Sequence, residues 1–182
     1  MSASRIILIG GGARSGKTAF ALAKARSLGE RRLYLATAEA LDDEMRARVL
    51  RHRADRGDDF KTREEPLEVP ALLGALQDVD VVVIDCVTFW ISNLLLRGDS
   101  EERVLAQAED LLGALCARRF HALVVTNEVG MGLVPETPLG RAFRDTAGRV
   151  HQRLCHAADE VYLGVLGGIL RLKPGPVGPG KP

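Results

Sequence analysis

The chain has 182 residues, 46% hydrophobic and 27% charged, proportions that fit one soluble domain with a substantial core. A net charge of +1 supplies no general field for nucleic acid or an anionic membrane, and the apolar runs are too short to span a bilayer. The N-terminus has no signal-peptide pattern, and Cys86, Cys116 and Cys155 are widely spaced without a C-x-x-C; both features point to a reducing cytoplasm, with neither a disulfide framework nor a zinc site.

In chain order, Ile6 to Ile9 reads as a buried strand. It runs into Gly11-x-x-x-x-Gly16-Lys17-Thr18, the P-loop pattern, between a strand and a helix as that pattern requires. Gly11, Gly12, Ala13, Arg14, Ser15 and Gly16 are expected to turn backbone N–H groups toward phosphate oxygens. Lys17 would reach the β- and γ-phosphates, and the Thr18 hydroxyl would bind Mg²⁺. A helix over Lys17–Leu28 should stop at Gly29, and a strand over Arg32–Ala36 ends at the polar Thr37-Ala38.

A basic helix is predicted from about Asp42 to Arg56, with Met45, Val49, His52 and Arg56 on one face. By spacing alone His52 reads as a half-buried histidine on a solvated helix or as a functional group flanked by Arg48, Arg51, Arg53 and Arg56. Phe60-Lys61-Thr62 is briefly extended, Glu64-Glu65-Pro66 turns the chain, and Pro70 to about Gln77 is a short helix. The run Val79 to Asp85 is the clearest buried strand; Asp85 at its end can meet Mg²⁺, cap the next helix, or both. Trp90, in a helix over Thr88–Arg97, is either core or a base-stacking surface.

Asp99 or Ser100 caps a long amphipathic helix to about Arg119, and Ala122–Thr126 is the next strand. The loop that follows it, Asn127-Glu128-Val129-Gly130-Met131-Gly132, suits close approach of a ligand or of other backbone. Thr137 and Pro138 start a helix to about Ala157, on which Arg141 and Arg144 can clamp a phosphate, support a lid or merely face solvent. His151 and Cys155 are an i, i+4 pair with no third metal ligand in register. A hairpin over Val161–Val165 and Ile169–Lys173 closes a single domain of residues 1–173, and the Pro/Gly-rich tail 174–182 is expected to be disordered. Strands alternating with helices predict an α/β, P-loop NTPase fold of RecA-like type: a mainly parallel sheet with helices on both faces.

A P-loop serves kinases, nucleotidyl transferases, and switches or motors. The Asn-Lys-x-Asp guanine reader of switch GTPases is missing, since the corresponding place reads Thr126-Asn127-Glu128-Val129. A chain of 182 residues leaves little room for a motor's second domain. A small-molecule enzyme is the better reading.

Several segments then agree with one family. They are Gly-Gly-Ala-Arg-Ser-Gly-Lys-Thr at 11–18, Tyr-Leu-Ala-Thr-Ala at 34–38, Asp-Asp-Glu-Met-x-x-Arg at 42–48, His52 with Arg56, and Glu64-Glu65-Pro66. Ile-Asp-Cys-Val-Thr-Phe-Trp at 84–90, the stretch 126–136 and Phe-Arg-Asp-x-Ala-Gly-Arg-Val-x-Gln at 143–152 follow in order. From Ile6 to Lys173 the chain resembles the bifunctional adenosylcobinamide kinase/adenosylcobinamide-phosphate guanylyltransferase family of cobalamin biosynthesis.

The resemblance implies phosphorylation of adenosylcobinamide by ATP or GTP, then transfer of GMP from GTP to adenosylcobinamide phosphate. It implies a guanylyl-histidine at His52, with Lys17 acting on the phosphates. It places Ala36, Thr37, Ala38, Glu64 and Asp85 in the GTP site. On charge grounds Arg53 and Arg56, with Arg48 and Arg51, would keep His52 neutral and could neutralise the leaving pyrophosphate, and the P-loop context puts Mg²⁺ on Thr18 and Asp85. The resemblance also implies a homo-oligomer, a trimer; the near-neutral charge argues against a nucleic-acid partner. His151 departs from the family pattern, which has Asn before Gln152. A kinase of another small molecule that never uses His52, or a non-enzymatic nucleotide switch, are the alternatives.

Overall fold

The computed structural model describes residues 4–38 and 57–175. The basic helix expected over 42–56, with His52, Arg53 and Arg56, lies outside the described residues, as does the tail from 176.

Seven strands form one sheet: β1 (Ile6–Gly11), β2 (Arg32–Ala36), β3 (Lys61–Glu64), β4 (Val81–Asp85), β5 (His121–Val125), β6 (Glu160–Val165) and β7 (Gly168–Lys173), in the order β3-β2-β4-β5-β1-β6-β7. All neighbours are parallel except the closing β6–β7 hairpin. Central strands are covered on both faces, which is why β1, β4 and β5 read as unbroken apolar runs rather than alternating ones. Polar β3, exposed along its length, shields one edge.

Helix α1 (Lys17–Arg26) covers one face, where Ala21, Leu22 and Ala25 meet Ile7, Ile9, Tyr34, Val83 and Val125. The other face carries α2 (Val69–Ala75), α3 (Val87–Leu96), α4 (Glu101–Cys116) and α5 (Pro138–Ala157), around a core that includes Ile6, Leu8, Ile84, Leu111 and Leu154. Trp90 belongs to that core: it is 1% exposed, and its indole N–H donates to the Leu67 carbonyl at 2.8 Å. It is no base-stacking surface. The helix after β1 turns to one face and the helix after β5 to the other, so the carboxyl ends of these adjacent strands open a crevice, the usual ligand position in such sheets.

Two helix ends differ from expectation for identifiable reasons. Gly29 is outside the left-handed region; a Cβ there would lie 2.5 Å from the Asp80 Cβ, so it serves close approach rather than helix termination. The long helix stops at Cys116 rather than near Arg119, because Arg118 turns left-handed with φ 54°. Ser100 is its cap, accepting from the Arg103 N–H, whereas Asp99 is drawn into bonds with Arg97 and Gln107.

Candidate active site

The P-loop spans the carboxyl end of β1 and the first residue of α1. Gly11 has no room for a side chain, since a Cβ would sit 2.5 Å from the Gly164 carbonyl and 2.7 Å from the Ser15 hydroxyl. Arg14 and Gly16 take positive φ, 58° and 86°, which curls the segment between them. Gly12, Ala13 and Arg14 form its exposed rim, and Ser15 packs beneath. Lys17 is buried, and its ammonium folds back to the Gly12 carbonyl at 2.9 Å, spanning the turn that it would share with phosphates.

Sheet register assembles the neighbouring groups. Ala36 pairs with Glu64 on one side and Asp85 on the other, so these three strand ends form a row with side chains on the α1 face. Glu64 and Asp85 are two strands apart, about 10 Å at the usual strand spacing. The Thr18 hydroxyl lies 3.3 Å from Asp85 Oδ2, which also accepts from the Tyr34 hydroxyl at 2.5 Å. A hydroxyl and a carboxylate meeting at a P-loop are the hard oxygen donors that Mg²⁺ takes beside phosphates and water. Among the described residues no group of three or more His, Cys, Asp or Glu could hold a metal by itself.

Thr37 is fully buried and its polar atoms are engaged. Its hydroxyl donates to the Cys86 carbonyl at 2.7 Å and accepts from the Cys86 N–H at 2.9 Å, and its own carbonyl accepts from Asn93 at 2.7 Å. It ties the ends of β2 and β4 together beside Ala36 and Ala38. Cys86, behind Asp85, is buried, and burial pushes its thiol up to about 11, so it stays protonated and inert.

The loop after β5 is built against the P-loop. The Glu128 N–H donates to the Gly11 carbonyl at 3.0 Å, and the Asn127 amide donates to the Thr88 hydroxyl at 3.0 Å. Arg144 donates to the Gly130 carbonyl at 3.0 Å, and Arg141 to the Pro135 and Glu136 carbonyls at 3.1 and 2.6 Å. Of the readings left open for these arginines, the structure favours loop support. His151 meets the Thr126 hydroxyl at 2.6 Å, so it braces the end of β5 and is no partner of Cys155 in a metal pair.

A groove of about 1060 Å³ lies elsewhere, between α2, the end of α3 and α4. Its Glu68, Arg97 and Asp99 pair with one another, and the Arg97 guanidinium holds the Asp99 carboxyl below its ordinary range. It lacks the P-loop's cradle.

The model of one family, cobinamide kinase / cobinamide phosphate guanyltransferase, matches residues 7–172. The chain belongs to the cobinamide kinase / cobinamide phosphate guanyltransferase family. It is 40% identical over 181 residues to the bifunctional adenosylcobalamin biosynthesis protein CobU of Escherichia coli (strain K12), covering 92% of this chain and 99% of that one. It is 39% identical over 171 residues to the corresponding CobP of Pseudomonas aeruginosa, covering 93% and 98%. Among solved structures it is similar in fold to the RadB recombinase, with a TM-score of 0.53 and 15% identity over 89% of this chain and 74% of that one. The RecA-like fold expected from the sequence, a mainly parallel sheet with helices on both faces, therefore stands. No helix among the described residues is long and apolar enough to cross a membrane.

His151, where the resemblance leads one to expect Asn, makes a polar contact with Thr126. It is a titratable group: burial lowers the His151 pKa, with Glu128 opposing weakly. The unfolded state therefore binds this proton first. The stability contributed by neutral His151 is complete above the unfolded pKa of about 6.5 and is lost as pH falls through that value toward the folded one. His121, also lowered by burial, acts in the same direction. His151→Asn should lose less stability than the parent between about pH 7.5 and 5.5 in urea unfolding. An equal loss would assign the acid sensitivity elsewhere.

Proposed function

We propose that this enzyme runs both family reactions at the P-loop crevice. In the first, the aminopropanol hydroxyl of adenosylcobinamide attacks the γ-phosphorus of ATP or GTP, and the nucleoside diphosphate leaves. In the second, an imidazole nitrogen of His52 attacks the α-phosphorus of GTP, forming an N–P bond as the bond to pyrophosphate breaks. The phosphate of adenosylcobinamide phosphate then attacks the same phosphorus. This restores the histidine and releases adenosylcobinamide-GDP.

The observation that carries this reading is the junction of cradle and strand end: Lys17 spans the P-loop turn while Thr18 reaches Asp85, in a chain matched to the family from residue 7 to 172. Backbone N–H groups of 12–16 and the Lys17 ammonium would bind the β- and γ-phosphates in both reactions, holding them against in-line attack. Mg²⁺ on Thr18 and Asp85 would neutralise charge on those phosphates. Tyr34 orients Asp85 toward Thr18. Glu64, exposed at the end of the same row, would accept from a ribose hydroxyl or a base amine, and Thr37 would serve by fixing the strand ends. Arg53 and Arg56 would offset the charge of departing pyrophosphate and disfavour protonation of His52. A homotrimer in the cytoplasm completes the reading.

The test is label transfer. With Mg²⁺ and GTP labelled at the α-phosphate, the denatured protein should retain acid-labile, alkali-stable label, and γ-labelled GTP should leave none. A chase with adenosylcobinamide phosphate should move the α-label into the corrinoid. Absence of α-label under conditions where GTP binds would overturn the covalent route.

A further inference from the structure

The loop between β5 and α5 carries an apolar tip that the fold holds out into solvent. Met131, Leu133 and Val134 are 80%, 96% and 67% exposed, while both flanks of the tip are fastened. On one side Glu128 is bonded to Gly11 and its carboxylate accepts from the Gly130 N–H at 2.5 Å. On the other, Arg141 grips the carbonyls of 135 and 136, and Thr137 caps α5 by accepting from Gly140 at 3.1 Å. Three apolar side chains on a segment fastened at both ends have given up burial against their own core, at a cost that scales with the apolar area left wet.

We propose that this tip, Met131, Leu133 and Val134, is the landing surface for the corrin ring of the substrate. The proposal rests on the reaction assigned above and names the part of the site that accepts the large substrate. A corrinoid is a broad macrocycle with methyl-bearing faces and an amide-bearing rim, far too large for a phosphate cradle. Its reacting hydroxyl sits at the end of a short arm, so the ring must rest at the mouth of the crevice while the arm reaches the γ-phosphate. The loop meets that requirement by continuity: its first residues touch Gly11 of the cradle, and its tip begins three residues further on at Met131. The apolar side chains cover a ring face, and the rim amides stay in water.

The test uses the full chain with Met131→Ser, Leu133→Ser and Val134→Ser, singly and combined, and adenosylcobinamide with GTP as substrates. The combined variant should raise KM for adenosylcobinamide roughly tenfold or more, with kcat little changed, as expected for lost uniform binding. KM for GTP and α-label on the protein, which need no corrinoid, should not move. Leu96→Ser, at an exposed apolar residue at the far end of α3, should behave as the parent. An unchanged corrinoid KM in the combined variant overturns the proposal. So does its dissociation to a smaller species in sedimentation, which would give the tip to a second copy of the chain. A parent protein that takes α-label yet leaves adenosylcobinamide untouched overturns the reaction assignment itself, and the loop's role with it.

Discussion

Lys17→Ala is expected to abolish kinase turnover and α-label on the protein together, each by at least about 10²–10³-fold. The lysine is 8% exposed at the start of α1, and its ammonium already lies across the P-loop turn, 2.9 Å from the Gly12 carbonyl. A charge fixed in that position costs no reorganisation when phosphates arrive, and in a site shielded from water it acts at far more than its strength in bulk solvent. The two reactions break different bonds, at the γ- and the α-phosphorus, yet both leave negative charge on the β-phosphate. One ammonium can serve both only if the two nucleotides use one cradle. Lys17→Arg should fail as well, because the wider guanidinium would have to fit a turn whose wall admits no Cβ at Gly11. Thermal unfolding of each variant separates loss of chemistry from loss of fold. If α-label survives while kinase turnover is lost, the two reactions use separate nucleotide sites, and the one-crevice reading fails.

Much of this arrangement was legible because its causes are local. The strand–turn–helix around 11–18 is written in consecutive residues, and β4 is an apolar run ended by an acid. What brings Thr18 to Asp85 is the parallel order β4-β5-β1, which the alternation of strands and helices implies without stating. The rest depended on contacts between residues far apart in the chain. Tyr34 reads as a strand aromatic, and nothing near it announces that its hydroxyl bonds a carboxylate 51 positions later. Thr37 reads as a polar strand end facing a ligand; only the adjacent β4 shows its hydroxyl taken by Cys86. Asn93 and Asn127, which hold Thr37 and Thr88, lie on ordinary helix and loop sequence. Gly29 reads as a helix stop for the same reason, since its neighbour in space is Asp80, far from it in the chain. His52 is the opposite case: its spacing is ambiguous, and only the family resemblance implies a role for it.

That role yields the second large effect. His52→Asn is expected to remove α-label and GMP transfer by at least about 10³-fold while leaving kinase turnover within several-fold of the parent. The separation follows from the chemistry. Phosphorylation needs a cradle, a metal and a positioned hydroxyl, and no step of it passes through an imidazole. GMP transfer needs a nucleophile that attacks phosphorus and is then displaced by a phosphate monoester. Neutral imidazole does both near pH 7 because its ordinary pKa is about 6.5, and a phosphoramidate is a reactive donor. Asparagine keeps a polar side chain of similar reach with no nucleophilic nitrogen, so a general defect in folding or GTP binding would show as a fall in both activities. The sequence sharpens the expectation: four arginines, Arg48, Arg51, Arg53 and Arg56, stand within four positions of His52, and positive charge brought near an imidazole would oppose its protonation. Adding imidazole to His52→Asn should restore a small fraction of GMP transfer, as a diffusible nucleophile, with no protein-bound label. If kinase turnover falls in step with transfer, His52 acts on nucleotide binding and the covalent route is wrong. If transfer persists in the variant, GMP passes directly from GTP to the corrinoid phosphate, and the histidine is a bystander.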